Sequence, residues 1–128
     1  MRYRPLGTTD LSVSELSFGA GPVSGLMTGD LLEDQRAVVA RALDLGINWF
    51  DTAEAYGDGA SERELSRALT AVGKKPGEAI IATKWNPAGR TAGSIASTIA
   101  ARLAALAPFP IDLHQVHQWF GLSSVEAE

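Results

Sequence analysis

The chain has 128 residues, 45% hydrophobic and 20% charged, which suits one globular domain with a real core and excludes an intrinsically disordered chain. A net charge of −4, with lysine and arginine scattered, leaves no basic patch for nucleic acid or an anionic membrane; the lack of cysteine removes disulfides, thiolate metal sites and thiol nucleophiles. The polar start "MRYRPLGTTD" lacks a signal-peptide core and no apolar run approaches the ~18 residues of a membrane span, so a soluble cytoplasmic protein is expected.

In chain order, residues Met1 to Ser14 read as a short hairpin around "GTTD". A strand is expected from Glu15, "ELSFGA". Val38, Val39, Ala42, Leu43 and Leu45 then form an apolar stripe at helical spacing, closed by Gly46. The next strand runs from Ile47, "INWFDTA", and leads to Tyr56 in a stretch of small residues. Ser61 and Glu64 have the spacing of a capping box, followed by Leu65, Ala68, Leu69 and Val72, with Gly73 as the stop. A third strand starts at Ala79, "AIIATKW". The third helix, "SIASTIAARLAAL", places Ile95, Ile99, Leu103 and Leu106 on one face and ends before Pro108. The fourth strand is "IDLHQVHQ" from Ile111, and Ser123 with Glu126 forms a second capping-box signal with about one turn behind it.

The four strand starts, Glu15, Ile47, Ala79 and Ile111, are 32 residues apart each time, the length of a strand, a helix and two loops. Strands alternating with helices imply parallel pairing through right-handed crossovers. The fold class expected is therefore α/β, with residues 1–128 forming one domain.

In such architectures the chemistry gathers where strands leave the core at their carboxyl ends. Here those ends carry Asp51, Lys84 and His117, with Tyr56 just beyond the second strand. His114 and His117 are three apart, so on a regular strand they face opposite sides, and a two-histidine metal site is disfavoured. A free phenol, with a pKa of about 10, is a feeble acid at neutral pH, and a neighbouring ammonium favours its ionised form. Lys84 can supply that ammonium, Asp51 can hold it charged and aimed, and His117 can bond a substrate oxygen or share the proton. The set suits a tyrosine proton donor to a carbonyl oxygen, and it needs a separate hydride source because no side chain donates hydride. A metal-dependent lyase or epimerase would need clustered carboxylates and histidines where these strand ends offer Lys84 and Tyr56.

The stretches "LGTTDLSVSELSFG", "GINWFDTAEAYGDGASERELSRAL", "AIIATKW" and "IDLHQVHQ" together resemble the amino-terminal half of the aldo-keto reductases. The resemblance implies a (β/α) barrel of which about the first four βα units are present, a partial TIM barrel, with NADPH (NADH is possible) reducing an aldehyde or ketone to an alcohol. It implies catalytic roles for Asp51, Tyr56, Lys84 and His117, with Tyr56 the acid. Gly19, Ala20 and Gly21, with Asp51, would lie under the nicotinamide, and Trp85, Trp119 and Phe120 would wall a pocket for a small carbonyl substrate. Ala20 and Gly21 stand where many relatives carry a hydroxyl residue and an aromatic, and His114 stands where a tyrosine is common.

A complete barrel takes about 250 residues and holds its nucleotide phosphates mainly near the last strands. Four strands would leave two open edges and an uncovered inner face. Three outcomes are open from sequence: a homodimer completing the barrel, a reorganised core, or a truncated product. The alternative function is a catalytically incomplete half-barrel serving as a binding or scaffold module.

Overall fold

A computed structural model describes residues 1–123, so the expected pairing of Ser123 with Glu126 lies outside the described residues. Strands β1 (Tyr3–Pro5) and β2 (Ser12–Ser14) form the antiparallel hairpin read at the start of the chain. Asn48 latches it to the sheet: its Oδ1 accepts from the Ser14 N–H at 2.8 Å and its Nδ2 donates to the Ser12 carbonyl at 2.9 Å.

Strands β3 (Phe18–Gly19), β4 (Trp49–Asp51), β5 (Ile80–Trp85) and β6 (Leu113–Val116) form one sheet in sequence order, all neighbours parallel. Helices α1 (Leu32–Asp44), α2 (Ala60–Ala71) and α3 (Gly93–Leu106) occupy the crossovers, as the alternation required. The first strand is shorter than expected: only Phe18 and Gly19 pair with β4, although the Ala20 N–H still donates to the Asp51 carbonyl at 2.8 Å. Among the described residues no helix is long and apolar enough to cross a membrane.

Period-two alternation sorts the sheet residues. Phe50, Ile81 and Thr83 are fully buried toward the helices, whereas Asp51 and Lys84 stand half-buried on the other face. Phe50 and Ile81 pack with Leu65, Leu69, Leu106 and Phe109 in the core between sheet and helices. Each such fully buried side chain contributes about 1.5–3 kcal/mol.

Both Gly stops are as read. In α1 the N–H of Gly46 (φ +86°) reaches the Leu43 carbonyl and that of Ile47 the Ala42 carbonyl; Gly73 (φ +83°) and Lys74 repeat the pattern onto Thr70 and Leu69. These are Schellman closures, and they need the left-handed conformation at the glycine.

Three expectations are corrected. The capping box at Ser61 does not form: Gly59 precedes a helix that begins at Ala60, so Ser61 already lies inside the first turn. Its buried hydroxyl instead donates to the Ala20 carbonyl at 2.6 Å and contacts Thr52 Oγ1 at 2.7 Å, while Glu64 pairs with Arg67. On α1 the buried stripe is Gln35, Val39 and Ala42, leaving Val38 and Leu45 exposed. On α3 Leu103 is exposed because the adjacent Arg102 takes the inward position, where two carboxylates receive it.

Candidate active site

The carboxyl ends of β4, β5 and β6 place Asp51, Lys84 and His117 on the face away from the helices. Tyr56 comes from the turn after β4, with its N–H on the Ala53 carbonyl at 3.1 Å and its carbonyl accepting from the Ser61 N–H at 3.2 Å. The phenol is thus held by a turn braced against the first turn of α2.

Lys84 is the hub. Its Nζ donates to Asp51 Oδ2 at 2.6 Å, to the Thr52 carbonyl at 2.7 Å and, more weakly, to Tyr56 Oη at 3.4 Å. Three acceptors match the three ammonium protons, so the nitrogen is fixed by its bonds. Because the Tyr56 oxygen accepts from Lys84, its own proton is free to point elsewhere. The ammonium also sits 4.9 Å from the centre of the Tyr56 ring. The imidazole of His117 meets that ring edge-on, centroids 5.3 Å apart and planes at 82°.

Electrostatics follow from this crowding. Burial, and then the Lys84 ammonium, push the His117 pKa below the usual histidine value, opposed by Asp51 and Glu54. A neutral imidazole is therefore the favoured form at pH 7. Among the described residues its Nδ1 is buried without a hydrogen-bond partner. His114 is in register with Thr83 on the helix side, so the two histidines face opposite ways as their spacing required. Its pKa is also lowered, first by burial and then by Arg102, with Glu54 acting in the opposite sense.

The structure brings Asp51, Tyr56, Lys84 and His117 together, and it adds a residue that the sequence reading missed. Gln115, in register with Lys84, donates from Nε2 to Asp51 Oδ1 at 3.2 Å, so the carboxylate is held at both oxygens. The signal was present: Gln115 lies two residues before His117 and so shares its face.

Gly19 is exposed beside Asp51, and a Cβ there would meet nothing within 4 Å. A Cβ on Gly21 would stand 4.0 Å from Tyr56 Cε2, an ordinary contact. Space is therefore open at Gly19 and beside the phenol at Gly21, whereas Ala20 between them is fully buried.

Of the expected aromatic wall, Trp85 is corrected. Trp85 follows Lys84 on β5, so it turns to the helix side, where it is 1% exposed and its indole N–H donates to Ser94 Oγ at 3.0 Å. Trp119 and Phe120 lie beyond β6, exposed, stacked edge-to-face on one another at 5.6 Å. A cavity of about 460 Å³ lies at the opposite end of the sheet, lined by Arg2, Arg4, Glu15 and Trp49 among others, and none of the four converging residues reaches it.

The sequence model of the aldo/keto reductase family matches residues 15–127. An L-galactose dehydrogenase of Arabidopsis thaliana is 44% identical over 85 residues, 66% of this chain and 26% of that enzyme. Among solved structures, the holo form of an aldo-keto reductase from Bacillus halodurans superposes with a TM-score of 0.74 at 32% identity, covering 91% of this chain and 40% of that one. An aldo-keto reductase from Klebsiella pneumoniae in complex with NADPH gives a TM-score of 0.70 at 21% identity, a likeness of fold, again over 91% of this chain and 40% of that one. The chain thus spans between a quarter and two fifths of the length of these relatives.

Proposed function

Since this chain belongs to the aldo/keto reductase family, we propose that its strand-end site protonates the oxygen of an aldehyde or ketone in an NADPH-dependent reduction. One observation carries this reading: Lys84 Nζ bonds Asp51, the Thr52 carbonyl and Tyr56 Oη at 2.6, 2.7 and 3.4 Å, around a single point. NADPH, when bound, supplies the hydride; NADH would supply the same chemistry.

The chain's own residues do the rest. Tyr56 gives its proton to the substrate oxygen, and the Lys84 ammonium stabilises the negative charge that grows on the phenol oxygen as it does so. Asp51, held by Gln115, keeps the ammonium aimed. His117, favoured in its neutral form, keeps one ring N–H that can donate to the carbonyl oxygen and orient it. Gly19, Ala20 and Gly21 would lie under the nicotinamide, where a larger side chain at Gly19 or Gly21 would narrow the open surface beside Tyr56.

A second reading is favoured by the open sheet. The outer edges of β3 and β6 have no strand partner among the described residues, and Trp49, Ile80 and Leu113 are only half-buried. On this reading the chain by itself is a half-barrel that needs a second copy, closing eight strands, or serves as a binding module without catalysis. Aldehyde-dependent oxidation of NADPH, run beside a cofactor titration followed by NADPH fluorescence, tests the two. Turnover supports the reductase reading; no cofactor binding, or binding without turnover, favours the half-barrel, and a dimeric mass by light scattering would identify its closed form.

A further inference from the structure

Between the β4–α2 turn and α3 lies a second set of buried charges that proton donation does not use. Glu54, two residues before Tyr56, is 7% exposed, yet both carboxylate oxygens are satisfied. Oε1 accepts from the Asn86 N–H at 2.5 Å and from Arg90 Nη1 at 2.6 Å; Oε2 accepts from Arg102 Nη1 at 2.5 Å. Arg102 Nε then lies 2.7 Å from Glu62 Oε2, a charge contact without the alignment of a hydrogen bond, and Thr83 donates to the other Glu62 oxygen at 2.6 Å.

Two loops meet at this acid, and a third bonds the main chain beside Arg90. Asn86 follows Lys84 by two residues, so its bond to Glu54 ties the end of β5 to the turn that carries Tyr56. Arg90 continues the chain of contacts: its carbonyl accepts from the Leu122 N–H at 2.8 Å, and next to it the Ala92 N–H donates to Ser123 Oγ at 2.8 Å. Leu122 and Ser123 belong to the segment that follows His117. Glu54 and Arg90 therefore connect, in one bonded path, the loops that follow Asp51, Lys84 and His117.

Burying a carboxylate is expensive unless it is fully paired, and apolar residues of similar volume often stabilise as well or better. What apolar packing does not supply is directional bonds that hold one loop to the next. We propose that the Glu54–Arg90 pair is a positioning clamp: it sets the three strand-end loops against one another and so fixes Tyr56, Lys84 and His117 in mutual reach without itself touching substrate. Its kinetic consequence rests on the reductase reading; the clamp does not.

Amide hydrogen exchange on the full chain tests it, with Arg90→Ala, Arg90→Lys and Glu54→Gln. Arg90 is the safer site because its side chain is 39% exposed. In Arg90→Ala the Ala92 and Leu122 amides should exchange about tenfold faster, the scale of one charge-assisted hydrogen bond, while the Thr52 and Ile80 amides inside the sheet keep their rates. Arg90→Lys should restore most of that protection, and Glu54→Gln should speed exchange at Asn86, Ala92 and Leu122. Where the chain turns over, Arg90→Ala should lower kcat more than it raises KM, with Lys restoring it. Loop amides unchanged in a folded Arg90→Ala chain, or acceleration of equal size throughout the sheet, would overturn the clamp. Loop amides that loosen with kcat unchanged would overturn its positioning role. The exchange result stands whether or not the chain reduces anything, so its failure and that of the reductase reading are distinguishable.

Discussion

Replacing Lys84 with methionine keeps the length of the side chain and removes its charge, leaving the Asp51 carboxylate and the Thr52 carbonyl without their shared donor. A hydrogen bond to a charged group contributes about 1.5–3 kcal/mol when buried. The pair here is partly wet, 14% exposed at Lys84 and 27% at Asp51, so water recovers some of the loss and the cost should fall to about 1–2 kcal/mol. For 128 residues, at about 2.1 cal/mol/K of unfolding entropy each, that lowers the melting temperature by about 4–7 °C. Calorimetry or urea unfolding measures it. Because much of the cost is the stranded carboxylate, the double variant Asp51→Asn, Lys84→Met should be less destabilised than the two single variants summed, by about 1 kcal/mol. Strictly additive costs would refute the reasoning, since they would mean that the ammonium and carboxylate do not depend on each other.

The two histidines should titrate below the ordinary value of about 6.5 when followed by NMR. Lys84→Met should raise His117, whose depression it partly causes after burial, and leave His114 where it was; equal movement of both would contradict the assignment. The sign for stability follows. Between about 6.5 and the depressed values the unfolded chain binds protons that the folded one does not, so these two groups make stability decline as pH falls through that window. Gly46→Ala should cost at least about 2 kcal/mol, because beyond the left-handed penalty a Cβ there would stand 2.8 Å from Met1 Cβ and 2.9 Å from Tyr3 Oη. Gly73→Ala, with nothing within 4 Å, should cost only the conformational penalty of about 1 kcal/mol, and equal melting shifts in the two would count against the docked hairpin.

The alternation of elements was legible because each strand and each Gly stop carries its own local signal, and Asp51, Lys84 and His117 could be placed together because parallel strands end on one side. Trp85 shows a signal present but not applied: as the neighbour of Lys84 on β5 it had to face the helices, whatever its aromatic character suggested. Ser61 was misread because a helix start is local while the claim on its hydroxyl, by Ala20 and Thr52, comes from distant strand ends. Glu54 was illegible for the same reason. In "DTAEAYG" it looks like a solvated acid, and the residues that bury it, Arg90 and Arg102, lie 36 and 48 positions away.

The most direct measurement is NADPH oxidation with a reactive aldehyde by the chain and by Tyr56→Phe, which deletes one oxygen and leaves the ring against His117. Loss of a positioned general acid should lower kcat by about 10²–10⁴-fold while cofactor affinity stays within about threefold. A Tyr56→Phe chain that turns over as fast as the original would contradict the account, because the proton would then come from elsewhere than the phenol that Lys84 holds.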